Sequence, residues 1–150
     1  MKNYIIVDID GTIADATHRL HYIHDQGPGK KDWNAFFNEC VHDTPHQDVI
    51  DLVRLCSVAH NHEVLYVSGR SDQVRLETRA WLVRHGLPFG RLHMRKQGDH
   101  RPDYQVKSEI LDQIGLKPEN VWFVLDDRDQ VVDMWRNRGF RVLQVADGNF

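Results

Sequence analysis

The stretch Tyr4–Ala14, YIIVDIDGTIA, decides the fold. Its apolar run Tyr4–Val7 ends at Asp8, and a second carboxylate, Asp10, follows one residue later. A short apolar run that is closed by turn residues is typical of a strand buried on both faces of a parallel sheet. Side chains alternate along a strand, so Asp8 and Asp10 are expected to point the same way. The sequence therefore predicts two carboxylates at the carboxyl end of a strand, where open α/β sheets bind ligands.

Composition limits the class of protein. The chain has 150 residues, of which 41% are hydrophobic and 27% charged, as expected for one globular domain over residues 1–150. No apolar run approaches the roughly 20 residues that span a bilayer, and the first one breaks too early for a signal peptide. The two cysteines, Cys40 and Cys56, lack metal-like spacing. We interpret them as reduced thiols of a cytoplasmic protein, with a single disulfide as the alternative.

Charge is unevenly distributed along the chain. The net charge is −3, which does not indicate general attraction to nucleic acid. The segment Arg70–Lys107, however, contains nine Lys/Arg and four Asp/Glu, so it carries +5 and the rest of the chain −8. This basic middle is either a local phosphate-binding face or a solvated helix face with scattered arginines.

Strand patterns alternate with helix patterns after the first strand. The predicted later strands are Glu63–Val67, Leu92–Met94, Val121–Leu125 and Val142–Val145. One helix is predicted to begin at the cap signal Thr44-Pro45 and another at the cap residue Ser71. Two further helices are predicted, one over Asp103–Ile114 and one that begins after Asp127 and stops at Gly139. This alternation predicts an α/β fold with a parallel sheet and right-handed crossovers.

The polar, His-rich residues 15–44 interrupt that alternation. They include a loop at Gln26–Lys30 and a predicted short helix around Trp33–Cys40, and we interpret them as a small insertion over the mouth of the site. His18, His21 and His24 either bind zinc or, as the i, i+3, i+6 spacing favours, are exposed loop residues. Trp33 and Phe36 are either core residues or stacking platforms for a base.

Reactive groups follow three of the predicted strands. Asp8 and Asp10 end the first, Ser68-Gly69-Arg70 ends the second, and Asp126-Asp127 ends the fourth. Parallel strands bring these ends to one edge. Two unit charges about 4 Å apart repel by roughly 4 kcal/mol at a partly screened dielectric, so the acidic cluster needs a cation. Oxygen ligands without His or Cys favour Mg²⁺.

A bound phosphate would meet the cationic and hydroxyl groups of the same edge. Lys107, Arg70 and the Ser68 hydroxyl can contact its oxygens, together with backbone N–H groups near Gly11 and Gly69. One carboxylate is then free to attack phosphorus, and another can protonate the leaving alcohol and later activate water. We assign Asp8 as nucleophile and Asp10 as acid/base.

Four separated motifs resemble those of the haloacid dehalogenase (HAD) superfamily of phosphohydrolases. Asp8-Ile9-Asp10-Gly11-Thr12 is similar to the first motif, and Ser68, Lys107 and Asp126-Asp127 fall in the order of the other three. The resemblance implies a Rossmann-like sheet of order 5-4-1-2-3, with helices on both faces and a small cap after the first strand. It implies that Mg²⁺ is held by Asp8, the Asp10 carbonyl and an acidic residue of the last motif, either Asp126 or Asp127.

A narrower resemblance surrounds these motifs. The segments 67–70, 94–103 and 126–150 are similar to the 3′-phosphatase domain of phage-type polynucleotide kinase-phosphatases. Arg19 matches a basic residue of that group. The P-loop pattern GxxxxGK[ST] of the usual kinase partner does not occur in this sequence.

The narrower resemblance implies a stand-alone Mg²⁺-dependent phosphatase that acts on 3′-phosphate ends of DNA or RNA. A separate kinase or ligase is a possible partner, and no membrane is involved. The expected substrate-binding residues are Thr12, Arg19, Ser68, Gly69, Arg70 and Lys107, and the expected metal-binding residues are Asp8, Asp10, Asp126 and Asp127. Two alternatives stay open, a small-molecule phosphatase such as a nucleotidase and a non-catalytic module that binds nucleic-acid ends.

Overall fold

A five-stranded parallel sheet lies at the centre of the computed structural model, which describes residues 2–24 and 29–150. In chain order, the described strands are β1 Tyr4–Val7, β2 Ala14–Asp15, β3 Thr44–Pro45, β4 Glu63–Ser71, β5 Gly90–Arg95, β6 Val121–Asp126 and β7 Val142–Gln144. The sheet order is β5-β4-β1-β6-β7, with β1 central. When only the five strands of this sheet are numbered along the chain, the order read from β7 is 5-4-1-2-3. This confirms the predicted α/β class and strand order. Of the predicted loop Gln26–Lys30, residues 26–28 lie outside the described ranges.

Helices cover both faces of the sheet. Within the described ranges they are α1 His21–His24, α2 Trp33–Asn38, α3 Gln47–Val58, α4 Arg75–Arg84, α5 Asp103–Ile114 and α6 Asp129–Asn137. On one face, Ile50 of α3 and Trp81 of α4 pack with Val7. On the other face, Leu111 of α5 and Trp135 of α6 pack with Ile6. The side chains of β1 therefore alternate between two separate cores, as a strand buried on both faces requires.

The ends of α5 are those the sequence predicts. Asp103 begins the helix, and Gly115 ends it in the left-handed region at φ 76°, where its N–H donates to the Leu111 carbonyl. A glycine adopts that conformation without steric cost, which is why it stops the helix. The helix buries Val106, Ile110 and Leu111 and thereby presents Lys107 inside the protein.

The predicted helix start at Thr44-Pro45 is wrong. These residues form β3, which pairs antiparallel with β2, and α3 begins at Gln47. The His46 N–H donates to the Ile13 carbonyl over 2.8 Å, which continues this pairing. The pairing closes the two ends of the 15–44 segment against each other.

The second strand of the sheet is longer than the sequence predicts. It is predicted to end at Val67, whereas β4 continues to Ser71 and pairs with β5 through an irregularity between Ser68 and Ser71. Ser71 caps a short 3₁₀ turn, in which its hydroxyl accepts from the Gln73 N–H, and α4 begins only after this turn. The extension carries Ser68, Gly69 and Arg70 past the end of β1.

The 15–44 segment lies beside the carboxyl end of β1. Phe36 of α2 is buried, and the Arg19 guanidinium lies 4.5 Å from its ring centroid. Trp33 is 40% exposed. Cys40 and Cys56 are free and buried. Across the described ranges, no helix combines the length and apolarity that crossing a membrane requires.

Candidate active site

Three carboxylates converge at the carboxyl ends of β1 and β6. One oxygen from each of Asp8, Asp126 and Asp127 can be chosen so that all three lie within 4.8 Å of one another. The Lys107 Nζ donates to Asp8 Oδ1 over 2.7 Å and to Asp126 Oδ2 over 2.9 Å. All four residues are buried. The structure thus brings together residues that are separated by up to 119 positions in the sequence.

The turn after β1 closes one side of this acidic cluster. The Thr12 hydroxyl lies 2.7 Å from Asp8 Oδ2, to which it donates, and 3.4 Å from Asp127 Oδ1. Gly11 has φ 83°, and a Cβ there would overlap the Asp127 carboxylate. Glycine is required at this position for both reasons.

Asp126 is held by donors on each of its oxygens. The Asp127 N–H donates to Asp126 Oδ1 over 2.9 Å, and the Trp135 Nε1–H donates to Asp126 Oδ2 over 3.2 Å. Together with Lys107, these donors fix the carboxylate in one orientation. Trp135 lies on the buried face of α6, and the sequence gives no signal that its indole also orients a site carboxylate.

Electrostatics favour a cation in this cluster. Burial raises the pKa of Asp8 well above its usual value, and Asp126 raises it further, while Lys107 opposes the shift. Burial, followed by Asp126, raises the pKa of Asp127 to about 6. Burial alone would lower the pKa of Lys107, but Asp126 and Asp8 outweigh it and raise the pKa. Three carboxylates and one ammonium leave an excess of negative charge when all are ionised.

The donor set fits a hard divalent ion. Asp8, Asp126 and Asp127 offer oxygens close enough to share one ion. Oxygen ligands without His or Cys match Mg²⁺, which binds through one or two carboxylates and keeps several waters. No other such group of three His, Cys, Asp or Glu side chains occurs among the described residues, so the alternative of a zinc site at His18, His21 and His24 has no support there.

Asp10 belongs to a second, charge-balanced cluster. Its Oδ1 accepts from Arg19 Nη2 over 2.6 Å and from Arg70 Nη2 over 2.7 Å. Asp43 Oδ2 accepts from the same two guanidiniums, over 2.8 Å from Arg19 and 2.9 Å from Arg70. Asp43 Oδ1 also accepts from Arg19 Nε, and His18 Nε2 lies 2.7 Å from it. Two arginines and two carboxylates thus neutralise each other beside the acidic cluster.

This second cluster determines the ionisation of Asp10. Burial alone would raise the pKa of Asp10, but the charges and hydrogen bonds of Arg70 and Arg19 outweigh burial and lower the pKa from its usual value. Asp10 is therefore ionised in this arrangement. An ionised carboxylate can accept a proton from water, whereas donating a proton requires that its contacts with the guanidiniums weaken.

Arg19 and Arg70 do not present their guanidiniums to solvent. The side chains of both are 0% exposed. Arg19 Nη1 donates to the Phe36 carbonyl, and Arg70 Nη1 donates to the Thr78 hydroxyl. Their contacts orient Asp10, and the expected contact of both arginines with phosphate or the substrate strand stays a prediction.

Asp43 is the residue of this cluster that sequence reasoning missed. It is one of several acidic residues in the polar segment 15–44, and no periodicity distinguishes it. Its side chain is 0% exposed, and its backbone carbonyl accepts from Trp81 Nε1 over 3.0 Å. Its importance follows only from the two arginines that it contacts across 24 and 27 residues of sequence.

Ser68 and Gly69 lie where β4 passes the end of β1. Ser68 is buried, and its hydroxyl oxygen accepts from the Arg70 N–H over 3.1 Å. A Cβ on Gly69 would overlap Asp103, and the Gly69 carbonyl accepts from Arg95 Nε over 2.8 Å. Arg95 also pairs with Asp103, which anchors this segment of β4 to the start of α5.

Comparison with known proteins gives a family. The family model described as the polynucleotide kinase PNKP phosphatase domain matches residues 2–150. A candidate bifunctional polynucleotide kinase/RNA ligase of Autographa californica nuclear polyhedrosis virus is 30% identical over 134 residues, which are 89% of this chain and 18% of that protein.

Solved structures share the fold. A chain in the structure of the Pnkp1/Rnl/Hen1 RNA repair complex superposes with a TM-score of 0.80 at 28% identity, over 98% of this chain and 43% of that one. The L-2-haloacid dehalogenase of Xanthobacter autotrophicus superposes with a TM-score of 0.63 at 13% identity, over 97% of this chain and 78% of that one. The chain thus spans less than half the length of the viral relative and of the RNA repair protein.

Proposed function

Because the chain belongs to the family of PNKP phosphatase domains of polynucleotide kinases, we propose that it removes the 3′-phosphate from polynucleotide ends. The reaction depends on Mg²⁺ and passes through a phosphorylated aspartate. The observation that supports this proposal most is the contact of Asp8 with Lys107, together with the position of Asp8 within 4.8 Å of the Asp126 and Asp127 carboxylates, at the end of the central strand. That contact places one carboxylate among a cation and two further carboxylates.

Asp8 is the nucleophile in this proposal. A carboxylate oxygen of Asp8 forms a bond to phosphorus while the bond from phosphorus to the 3′-oxygen breaks. Thr12 and Lys107 each donate to one Asp8 oxygen and so fix the direction of attack. Mg²⁺ held by Asp8, the Asp10 carbonyl, Asp126 and Asp127 would offset the charge of the phosphate and of the three carboxylates.

Asp10 moves the protons. In the first step it gives a proton to the leaving 3′-oxygen, and in the second it takes a proton from the water that attacks phosphorus. The bond between phosphorus and Asp8 then breaks, and inorganic phosphate leaves. The ionised state of Asp10 suits the second step. The first step requires a protonated Asp10, so the positions of Arg19 and Arg70 are expected to influence the rate.

The remaining predicted residues hold the phosphate. The Ser68 hydroxyl, the backbone near Gly69 and Gly11, and the Lys107 ammonium lie around the end of β1 and can donate to phosphate oxygens. Arg19 and Arg70 act by orienting Asp10. A separate kinase or ligase as partner, a cytoplasmic location and a single domain with an insertion at residues 15–44 belong to the same proposal.

Phosphate release from matched substrates tests the function. We expect release with Mg²⁺ from a 3′-phosphorylated oligonucleotide, and little release from the 5′-phosphorylated oligonucleotide or from free 3′- and 5′-mononucleotides. Release from mononucleotides alone would instead identify a nucleotidase. Binding of the oligonucleotide without any release would identify a non-catalytic module.

Substitution of the nucleophile tests the chemistry. Asp8→Asn is nearly isosteric and should abolish release while the thermal unfolding transition stays cooperative. Asp133→Asn, on the exposed face of α6, is the matched control and should keep full activity. Retained activity in the Asp8→Asn protein would exclude Asp8 as the nucleophile. Mass spectrometry of protein quenched during turnover should show one added phosphate, which the Asp8→Asn protein lacks.

A further inference from the structure

The β5 edge of the sheet is strongly basic. Residues 75–96 contain six Lys/Arg and one acidic residue, although the whole chain has a net charge of −3. β5 is the outermost strand on this side of the sheet, and α4 packs beside it. Positive charge is therefore concentrated at one edge of an otherwise acidic protein.

Three arginines surround this edge. Arg75 and Arg79 reach from α4 and donate through Nη1 to the carbonyls of Leu92 and Gly90, over 2.7 and 2.5 Å. Arg91 lies exposed on β5 itself. Within the described part of the chain, none of the three arginines forms an ion pair with a carboxylate. Carbonyl acceptors leave the full positive charge of Arg75 and Arg79 uncompensated.

These cations lie close together, because Arg75 and Arg79 contact the carbonyls of Leu92 and Gly90, and Arg91 lies between these two residues on β5. Burial lowers the pKa of His93, and the positive charges of Arg91, Arg75 and Arg79 lower it further. All three arginines therefore act on one point of β5. Such proximity of like charges is unfavourable in the free protein and is relieved by a polyanion.

An exposed aromatic ring lies among the same cations. Phe89 is 89% exposed, and the Arg79 guanidinium lies 5.2 Å from its ring centroid. Cations that follow a phosphate backbone, together with aromatic rings that stack on bases, are the two components of single-strand binding surfaces. Protection of the strand edge explains the contacts of Arg75 and Arg79 with β5 and the exposed charge of Arg91, but it does not explain the exposure of Phe89.

The β5 strand that carries these residues leads to the candidate active site. The last residue of β5, Arg95, donates to the carbonyl of Gly69, next to Ser68. Gly90 and Arg95 are five residues apart, or about 17 Å along a strand. A stacked strand rises about 3.4 Å per nucleotide along its axis, so this distance matches about five nucleotides.

We propose that Arg75, Arg79, Phe89 and Arg91, which we call the basic edge, bind the single-stranded phosphodiester backbone that leads to the 3′ end. The inference rests on the proposed function for the direction of the strand. The basic edge binds the nucleotides that precede the terminal phosphate, while the site at Asp8 holds the phosphate itself. The recognised chemistry is a phosphodiester backbone with unpaired bases, which RNA and DNA share.

Direct binding tests the basic edge separately from catalysis. The Asp8→Asn protein, which should not turn over, is titrated into fluorescent 3′-phosphorylated RNA and DNA strands of about eight nucleotides, and anisotropy is measured. Arg91→Glu is introduced at the basic edge. Arg141→Glu, exposed just before β7 at the opposite edge of the sheet, is the control with the same change in net charge.

We expect a loss of affinity that depends on position. Arg91→Glu should weaken binding about ten-fold at low salt and reduce the salt slope by about 0.7 for each lost phosphate contact. Phe89→Ala should weaken binding about five-fold through lost stacking. The Arg141→Glu protein should bind within two-fold of the parent, and a 3′-phosphorylated dinucleotide should bind equally to all variants because it is too short to reach the edge.

Two results would overturn the inference. Equal losses in Arg91→Glu and Arg141→Glu would show an effect of net charge only, and unchanged binding in Arg91→Glu and Phe89→Ala would show that the strand lies elsewhere. The proposed function fails separately. If the parent protein releases no phosphate while Arg91→Glu still weakens strand binding, the basic edge stands and the phosphatase activity is excluded. Different losses with the RNA and DNA strands would show which of the two the edge binds.

Discussion

Replacing Asp43 by asparagine is expected to slow phosphate release by changing the protonation of Asp10, a residue that Asp43 does not contact. Asp43 and Asp10 neutralise Arg19 and Arg70, and both arginines are fully buried. Asp43→Asn keeps the shape of the side chain but leaves the cluster with an excess positive charge. Asp10 then becomes the only carboxylate that balances two guanidiniums, so it holds its own proton less readily.

The structure gives the size of the effect on stability. Removing one partner of a buried ion pair costs about 3–5 kcal/mol, and the retained amide oxygen places Asp43→Asn at the lower end, about 3 kcal/mol. For a domain of this size about 1 kcal/mol lowers Tm by about 2–4 °C, so Tm should fall by about 6–12 °C. The protein should stay folded at room temperature because domains of this kind are stable by about 5–15 kcal/mol.

The effect on rate should depend on the leaving group. General acid catalysis contributes about 10²–10⁴-fold, and partial loss through Asp10 should lower kcat about 10–100-fold for a 3′-phosphorylated oligonucleotide. p-Nitrophenyl phosphate has a leaving group that needs no proton, so its kcat should change much less. Both rates are measured at a temperature well below the lowered Tm, with Asp133→Asn as the control.

The comparison of the two substrates separates a positioning role from a purely structural one. A structural defect would reduce both rates equally, and KM would change in parallel. Equal losses on both substrates, or an unchanged kcat on the oligonucleotide, would refute the argument that Asp43 acts through Arg19 and Arg70 on Asp10.

Three further predictions concern the acidic cluster. Lys107→Met should abolish phosphate release, because it leaves Asp8 and Asp126 without their shared ammonium. Lys107→Arg should restore little activity, since a guanidinium does not fit the position between the two carboxylates. Steady-state phosphate release measures both variants. Trp135→Phe removes the donor to Asp126 Oδ2 and should raise the Mg²⁺ concentration for half-maximal activity several-fold, with kcat at saturating Mg²⁺ nearly unchanged. Chelation by EDTA should stop phosphate release, and added Mg²⁺ should restore it. Added Mg²⁺ should also raise the Tm of the parent protein, but not that of an Asp126→Asn/Asp127→Asn double variant, as differential scanning fluorimetry can show.

The sheet could be predicted because its strands have strong local signals. β1 and β6 are continuous apolar runs that end in acidic residues, and α5 lies between clear start and stop residues. β2 and β3 have only two residues each, too few for any periodicity, and Thr44-Pro45 is equally suited to begin a helix. Their pairing depends on a contact across the 15–44 segment, which no local pattern contains.

The site could be predicted where it follows from topology and not where it depends on the tertiary contacts of single side chains. Parallel strand ends meet at one edge, so the sequence was sufficient to predict that Asp8, Asp126 and Asp127 lie together. Lys107 was predicted to lie with them because it falls in the expected order among the four motifs of the HAD superfamily. The sequence does not reveal that Arg19 and Arg70 are buried, because arginines are usually exposed unless a carboxylate such as Asp43 lies between them.

The two charge clusters give Asp8 and Asp10 different environments, which supports the different roles that we propose for them. The cluster of Asp8 has three carboxylates and one ammonium, so it attracts a cation and then an anionic substrate. The cluster of Asp10 has two carboxylates and two guanidiniums, so it attracts neither and keeps its charges balanced. In the proposed function, a divalent ion would therefore be held by Asp8 and its partners, and the side chain of Asp10 would stay free of it to exchange protons. Exchanging these environments would require moving Arg19 and Arg70. The proposed chemistry therefore depends on the 15–44 segment, which supplies Arg19 and Asp43, as well as on the sheet.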